Sequence, residues 1–419
     1  MRFGAQTAFL IVAMLFAGYG CKGSATPHTL NPEASSGGEA PETTAESSDE
    51  QARGEGDAAT EAEAQSPWGA TQAEQCRRTP RPVMSNKARK SFDKGVAAAA
   101  AGDSGGAEQE FRGALDRDPN AYAALYNLGV LADRAGKEGD AINYYKRALG
   151  ALADYEPAAR GIATIQLRRG QAQAAVSTVE PIANQYRSNL EMQALYAELL
   201  VEARRYDEAW MAARRALKCD ERFVPALIAL AKASRAQGRD ELADSILDQA
   251  LQIDPQVAEL HFLDGERLQA EPGRQRDAMV AFERAVQLRP SYAEARMALG
   301  IQLLAGGNYP AALSHFQAAE RLVPTLPAVH VNLGDAYRAT KQWTEAQTAY
   351  RRALQLQSKL PEAHYGLGLL FLTAGAEFPG LDELTAYEKA VDELQRYRSE
   401  MGPRLAKDDQ SAEYLRDLD

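Results

Sequence analysis

The chain has 419 residues, of which 45% are apolar, 25% charged and 7% aromatic, and its formal net charge is -11. This acidic balance argues against non-specific nucleic-acid binding, which needs clustered Lys and Arg against the phosphate backbone. Five His and three Cys leave little material for metal or thiol chemistry. The Ala-rich stretches, punctuated at intervals by Gly and Pro, favour an all-helical protein over a β-rich one.

The N-terminal residues have the pattern of a targeting segment. Residues 5–18 form an apolar stretch after Arg2 that is too short to span a bilayer of roughly 30 Å, which is typical of a secretory signal. The stretch ends in Gly18-Tyr19-Gly20-Cys21, which resembles the bacterial lipobox, although that motif usually has Leu and Ala or Ser where Gly18 and Tyr19 stand. The resemblance implies a signal peptide over residues 1–20 and a lipid on Cys21. The alternative is an ordinary secreted protein.

Residues 21–84 form the next segment, which is rich in Gly, Ser, Thr, Glu and Ala. Between Lys22 and Gln75 there are eleven Asp or Glu against two basic residues, whereas the chain from Cys76 onward is almost neutral. Such a composition cannot bury enough apolar surface to offset chain entropy. We therefore expect a disordered acidic tether, and the net charge of the protein says little about its partner.

An internal repeat of 34 residues organises the rest of the chain. Repeats start near residues 88, 122, 156, 190, 224, 258, 293, 327 and 361. Repeat position 8 is always Gly or Ala, position 20 is Ala in seven repeats, with Ala278 displaced by one in repeat six, and position 24 is a large apolar or aromatic residue in most repeats. A small residue at position 8 would let two helices approach closely. The pattern predicts helical hairpins from residue 85 to about residue 399.

These repeats resemble the tetratricopeptide repeat (TPR). The resemblance implies an all-α solenoid of about nine helical hairpins wound into a right-handed superhelix over residues 85–399, followed by a charged tail over residues 400–419. Two departures stand out. Repeat three has Ile182 and Arg187 where other repeats have a closing Ala and Pro, and repeat nine carries an insertion over residues 376–381 before a long helix of about 382–400.

Catalytic motifs are absent from the sequence: there is no Walker loop, Rossmann glycine fingerprint, GxSxG, HExxH or CxxC pair. His261, His330 and His364 share repeat position 4, but equivalent positions in stacked repeats stand roughly 10 Å apart, too far for one ion. We therefore expect no enzyme activity, no metal, no cofactor and no small-molecule substrate.

The pairing of the remaining cysteines is left open by the sequence. If Cys21 is acylated, Cys76 and Cys219 remain in a compartment that permits disulfides. Cys76 ends the tether and Cys219 closes the fourth repeat, about three repeats away from the start of the solenoid. An intramolecular bridge, two free thiols and an intermolecular bond from Cys76 are all compatible with this spacing.

The candidate binding surface is the groove lined by the first helix of each repeat, at the positions where TPR proteins contact ligands: 2, 5, 6, 9, 12 and 13. Aromatic side chains and Arg are the types that concentrate binding energy in interfaces. The alternative is that several of these residues only pack their own hairpin. The candidates are Phe92, Tyr126, Asn127, Arg160, Arg168, Lys232, Arg235, Phe262, Met297, Asn332, Arg338 and Tyr365.

The resemblance implies a lipid-anchored periplasmic scaffold that holds envelope proteins in its groove. In length and in the segment from Gly402 to Asp409, the chain is similar to TPR lipoproteins of the myxobacterial adventurous gliding machinery, and its plan resembles those that serve type IV pilus assembly. Lys22, directly after the lipobox, favours the outer membrane facing the periplasm. The alternative function is a regulator or partner subunit of a peptidoglycan synthase or hydrolase.

Overall fold

The computed structural model describes Cys76, residues 81–406 and residues 409–418. The expected signal peptide, Cys21 and most of the expected tether lie outside the described residues. Within the described part of the chain the secondary structure is helical, with nineteen α-helices and two short 3₁₀ segments. No helix in this part is long and apolar enough to cross a membrane. The all-α prediction is confirmed.

Helices α1 to α18 fall at the predicted repeat positions, the odd-numbered ones opening each repeat and the even-numbered ones closing it. In chain order they are α1 (Asn86–Ala100), α2 (Ser104–Arg117), α3 (Tyr122–Arg134), α4 (Glu138–Ala151), α5 (Glu156–Arg168), α6 (Ala172–Gln185), α7 (Leu190–Glu202), α8 (Tyr206–Cys219), α9 (Val224–Ala236), α10 (Asp240–Ile253), α11 (Ala258–Ala270), α12 (Gln275–Leu288), α13 (Ala293–Ala305), α14 (Tyr309–Leu322), α15 (Pro327–Ala339), α16 (Trp343–Leu356), α17 (Pro361–Ala374), α18 (Glu383–Met401) and α19 (Ser411–Leu418).

The chain divides into two compact units, one ending at Ile246 and the other beginning at Leu247, within α10. In the first unit, helices of successive repeats pack against each other from α1 to α9. In the second unit, α11 to α18 pack in the same sequential way. In both units the Ala at repeat position 20 belongs to the core, because it is buried in every repeat that has one.

The sizes of the residues at repeat positions 8 and 24 are complementary: the smallest residue at one position faces a large side chain at the other. In five of the six repeats where position 8 is Gly, an aromatic ring from position 24, or from the displaced Phe282, lies directly over it, and a Cβ added to the Gly would sit 2.5–2.7 Å from a ring carbon. In repeat nine a Cβ on Gly368 would instead sit 2.7 Å from the Leu394 side chain. The five pairs are Gly95–Phe111, Gly129–Tyr145, Gly265–Phe282, Gly300–Phe316 and Gly334–Tyr350. Repeats three and four combine Ala163 with Val179 and Ala197 with Ala213. A methyl group at position 8 is therefore tolerated where the facing side chain is smaller.

The turn after the first helix of most repeats needs a left-handed residue. Gly136 and Gly307, for example, have φ of 73° and 78° there, a conformation that glycine adopts without strain. Repeats four and eight place Arg204 and Lys341 at this turn instead, with φ of 60° and 59°. The turn geometry therefore belongs to the repeat and persists where the glycine is missing.

The ends of the predicted solenoid differ from expectation. The long last helix runs over Glu383–Met401, close to the prediction, but the expected charged tail contains α19. Apolar side chains of this segment, Leu405, Tyr414 and Leu415, pack against a cluster that α17 and α18 form with Tyr365, Leu369, Leu394, Tyr397 and Met401. This segment therefore covers apolar side chains of the last repeat.

Candidate partner-binding surface

The aromatic candidates lie in the core instead of lining an open groove. Tyr126 packs its ring 5.7 Å from the rings of both Tyr145 and Tyr155, measured between centroids. Burial is the main cause that raises the pKa of the Tyr126 hydroxyl. The buried aromatic candidates are Phe92, Tyr126, Phe262 and Tyr365, with at most 8% of each residue exposed. Their surfaces are already covered, which agrees with the alternative that these residues pack their own hairpins, and their contact with a partner stays a prediction.

The two asparagine candidates are buried as well. Asn127 is fully buried and Asn332 is 3% exposed. The side-chain Nδ2 of Asn332 has no hydrogen-bond partner among the described residues. Neither amide is available on the surface, so neither can hold the backbone of a ligand without a rearrangement of its repeat.

Arg160 lies on α5 and joins two successive repeats. Its Nε contacts Glu156 Oε1 at 2.5 Å, and its Nη1 contacts Glu198 Oε2 on α7 at 2.8 Å. Burial acts against the charge of the guanidinium, but the carboxylates of Glu198 and Glu156 outweigh it and raise the pKa of Arg160. The positive charge predicted at this position is therefore present and compensated.

Arg168, at the end of α5, is compensated in the same way. It donates to both carboxylate oxygens of Asp133 on α3, with 3.1 Å for the Nη1 bond, and its Nη2 lies 3.2 Å from Glu138 Oε1. Arg169 donates to the other oxygen of Glu138 at 2.7 and 2.9 Å. The hydrogen bond to Asp133 is the main cause that raises the pKa of the Arg168 guanidinium. A ladder of ion pairs therefore links repeats two and three.

The remaining candidates lie on α9, α13 and α15. Arg235 pairs with Asp244 on α10. Met297, in the second unit, is half-buried and packs on the core. Arg338 lies 3.5 Å from Asp335, and Asp335 accepts a hydrogen bond of 2.7 Å from the buried Tyr350 hydroxyl. Lys232 is half-buried on α9.

The acidic partners of these arginines are the residues that sequence reasoning missed. In repeat four the ligand-contacting positions 2, 9 and 13 hold Glu191, Glu198 and Glu202, all half-buried. Searching the same positions for acids as well as for cations and aromatics would have found them. Glu198 of this set contacts Arg160, so the positive charge of Arg160 is balanced within this part of the surface.

A short apolar strip accompanies the paired charges on the first helices of repeats three and four. Leu167 and Val201 both occupy position 12, and Thr164, at position 9 of repeat three, adds a methyl group; all three residues are half-buried. Together with Arg160 and Glu198 they form what we name the central surface. It combines apolar area that a partner can cover with charged groups whose hydrogen bonds fix the side chains in place, the combination found at protein interfaces.

The histidines at position 4 serve packing and hydrogen bonding. Nε2 of His261 lies 2.9 Å from the carbonyl oxygen of Pro255, and Nε2 of His330 lies 2.8 Å from that of Pro324, six residues earlier in both cases. His364 instead contacts Glu393 on α18 at 2.6 Å through Nδ1. Within the described ranges, no group of three or more His, Cys, Asp or Glu side chains is arranged to hold a metal ion.

Cys76 and Cys219 form a disulfide bond, with their Cα atoms 5.4 Å apart. Of the three arrangements left open by the sequence, the structure has the intramolecular bridge. Residues directly before residue 85, which the sequence predicted to belong to the tether, also contact the repeats. Met84 is buried in the core of the first unit, and the backbone N–H of Ser85 donates to Asp118 at 3.1 Å.

Comparison with protein families agrees with this architecture. Models described as TPR or tetratricopeptide repeat match residues 92–157, 134–199, 226–260, 272–327 and 334–375, which together cover more than half of the chain. The chain belongs to the tetratricopeptide-repeat family. TPR repeats imply a protein–protein interaction scaffold, and no catalytic family is indicated. Among curated proteins, none matches the sequence significantly.

Solved structures with similar folds include three with different described roles. The APC/C hetero-tetramer Cut9-Hcn1 is 15% identical, with 79% of this chain and 76% of that chain covered and a TM-score of 0.46. PilW, a type IV pilus biogenesis factor, is 17% identical over 55% and 97%, with a TM-score of 0.42. YrrB, a TPR protein with an unusual peptide-binding site, is 20% identical over 45% and 96%, with a TM-score of 0.33. These likenesses concern the fold alone.

Proposed function

We propose that this TPR protein is a non-enzymatic scaffold that holds a polypeptide partner on its central surface. The observation that carries the proposal is the strip of half-buried residues with apolar groups, Thr164, Leu167 and Val201, on the ligand-contacting positions of two adjacent repeats. A polypeptide covering this strip would bury apolar area, and such burial is favourable by about 25 cal/mol per Å². The ion pairs beside the strip would limit the entropy lost on binding, because Arg160 and Glu198 are already ordered.

The charge balance of the central surface favours a partner segment that is itself amphipathic over one that is strongly acidic. Arg160 is already engaged by two carboxylates, so an acidic ligand would have to displace Glu156 or Glu198 and would leave that carboxylate without its cation. Losing such a charge-assisted bond costs about as much as forming a new one gains. Apolar contact is therefore the main source of affinity in this proposal.

Photo-crosslinking in intact cells tests this function and identifies the partner in the same experiment. A photoreactive amino acid in place of Leu167 or Val201 is expected to give a covalent adduct with one protein, because both positions lie on the central surface. The same residue placed at Gln173 or Arg214, which are exposed on the second helices of the same two repeats, serves as the matched control. Mass spectrometry of the adduct gives the identity of the bound protein.

The pattern of adducts decides the outcome. Adducts at Leu167 and Val201 but not at the control positions support the proposal. Equal labelling at all four positions, or labelling at Gln173 and Arg214 alone, contradicts it. A motility or pilus component in the adduct would support an envelope machine, whereas a peptidoglycan synthase or hydrolase would support the alternative function of a partner subunit.

We further propose that the scaffold works in the cell envelope, as a lipoprotein of the outer membrane that faces the periplasm. The disulfide between Cys76 and Cys219 supports an oxidising compartment, because such bonds are rare in the reducing cytosol. The apolar residues 5–18 and Cys21, which lie outside the described residues, supply the expected signal and lipid site. Within the envelope, assembly of a gliding or type IV pilus machine is the role that the lipoprotein resemblance favours.

Replacement of Cys21 by Ser tests the anchor. The variant is expected to leave the membrane fraction or to remain uncleaved, because acylation at this thiol is the proposed attachment. Cys219→Ser, which removes a cysteine but leaves Cys21, is the control and should remain in the membrane fraction. Fractionation of cells and the mass of the intact protein are the measurements. An unchanged mass and unchanged membrane attachment of Cys21→Ser would rule out lipidation at this residue.

A further inference from the structure

Residues that precede the first repeat are fixed to the solenoid at several points. The backbone N–H of Ser85 donates to Asp118, which follows the second helix of repeat one. Arg81 lies beside residues 152–155 and 188–191, which close repeats two and three. Cys76 is bonded to Cys219, the last residue of the second helix of repeat four. Going backward from Ser85, these contacts pass along the ends of four successive repeats.

The disulfide changes where the N-terminal part of the chain is attached. Without the bond, residues 1–75 would join the solenoid at its first repeat. With the bond, the covalent path from Cys76 continues directly into Cys219, and residues 77–218 form a closed loop beside that path. Any pull on the N-terminus is therefore transmitted through the bond to the end of repeat four.

We propose that this bond carries tension past repeats one to four, so that the partner-binding repeats are not stretched. We call this arrangement a load bypass. All five residues of the central surface, which span residues 160–201, lie inside the loop closed by Cys76 and Cys219. Tension between a membrane anchor and the C-terminal repeats would pass from Cys76 to Cys219 and on through residue 220. The biological source of that tension rests on the proposed lipid anchor, but the path itself depends only on the bond.

Stacked repeats can unfold when the solenoid is stretched, and the bypass would protect repeats one to four from this. Each TPR hairpin contacts only its neighbours, so a solenoid pulled from its ends can unravel one repeat at a time. Unravelling of repeats three and four would separate α5 from α7 and destroy the central surface. A closed loop carries no load, so these repeats keep their packing while the chain outside the loop is stretched.

Single-molecule stretching of the full chain tests the bypass. The protein carries Cys21→Ser, so that Cys76 and Cys219 are its only cysteines, and it is held by peptide tags at its two termini. The 143-residue separation of the two cysteines corresponds to about 500 Å of extended chain at 3.3–3.6 Å per residue. Oxidised molecules are expected to reach a final contour length shorter by about 500 Å than molecules stretched in a thiol reductant.

The matched control is the same chain with Cys76→Ser, which should give the longer contour length in both oxidised and reduced buffers. A shorter length that appears only with both cysteines present, and disappears on reduction, supports the bypass. Equal lengths for oxidised and reduced molecules would overturn it, as would a redox-dependent length in the Cys76→Ser chain. The result is independent of the membrane fractionation of Cys21→Ser, so the bypass and the lipid anchor can fail separately.

Discussion

Leucine in place of Gly129 is expected to lower the free energy of unfolding of the first unit by about 3 kcal/mol, the upper part of the range for overpacking a core. The reason is steric. A Cβ on Gly129 would stand 2.5 Å from Cε1 of Tyr145, and that ring is held from its other edge by Gly161, where a Cβ would stand 2.6 Å away. The ring cannot retreat without disturbing the next repeat. Urea unfolding followed by circular dichroism measures the loss.

Gly139 provides the matched control within the same hairpin. It is helical and exposed on α4, and a Cβ there would have no neighbour within 4 Å. Leucine at this position should therefore be neutral or stabilising, by up to about 1 kcal/mol from helix propensity. Equal losses at Gly129 and Gly139 would contradict the close approach of the helices at position 8.

The size matching between repeat positions can be tested by transplanting one repeat's pair into another. Gly129→Ala together with Tyr145→Val gives repeat two the combination that repeat three has at Ala163 and Val179. The double variant should be more stable than the sum of the two single losses predicts, by about 0.5–3 kcal/mol, the range of coupling between residues in contact. Simple additivity would mean that the two positions do not constrain each other.

Periodicity predicted the fold well because it depends on contacts that recur in every repeat. Gly or Ala at position 8 and Ala at position 20 pack against residues a fixed distance along the chain, so their spacing alone gave the hairpins. The left-handed turn is also present at Arg204 and Lys341, at the same repeat position as in the repeats that have Gly there. Where a glycine was missing, the register still placed the turn.

The binding surface was harder to predict because exposure depends on the neighbouring repeat. Tyr126 occupies a ligand-contacting position, but Tyr155, the residue just before the next first helix, covers it. Tyr292 packs against Phe262 in the same way, with 5.2 Å between the ring centroids. A large side chain directly before a repeat is thus a signal in the sequence that the preceding position 5 is buried.

The charges of the surface illustrate a different limit. Arg160 was a candidate because of its residue type and repeat position, and only its pairing with Glu198, 38 residues later, shows that its charge is already satisfied. The separation is one repeat plus four residues, which brings position 5 of one repeat beside position 9 of the next. That positions 5 and 9 of successive repeats are neighbours follows from how the hairpins stack, so the pairing could be recognised only from the structure.

The bond between Cys76 and Cys219 is the long-range contact that periodicity could not supply, because Cys76 lies outside the repeats. Its removal is expected to destabilise the first unit by about 2–5 kcal/mol. In the chain-entropy account, closing a loop of 143 residues restricts the unfolded chain, and the stabilisation grows with loop length. Reduction with a thiol should therefore lower the melting temperature of the wild-type protein.

Comparison of variants separates the bond from the cysteines themselves. The double replacement Cys76→Ser and Cys219→Ser should unfold at the lower temperature with or without reductant, matching the reduced wild-type protein. Because this bond and the contacts of residues 81–85 join the N-terminal segment to the first unit, the loss should appear mainly in the unit that ends at Ile246. Hydrogen exchange resolved along the chain measures this: increased exchange in α1 to α8 with little change beyond Leu247 is the expected pattern. Identical melting of oxidised and reduced wild-type protein would show that the bond contributes nothing to stability, and the N-terminal contacts alone would then account for the position of Cys76.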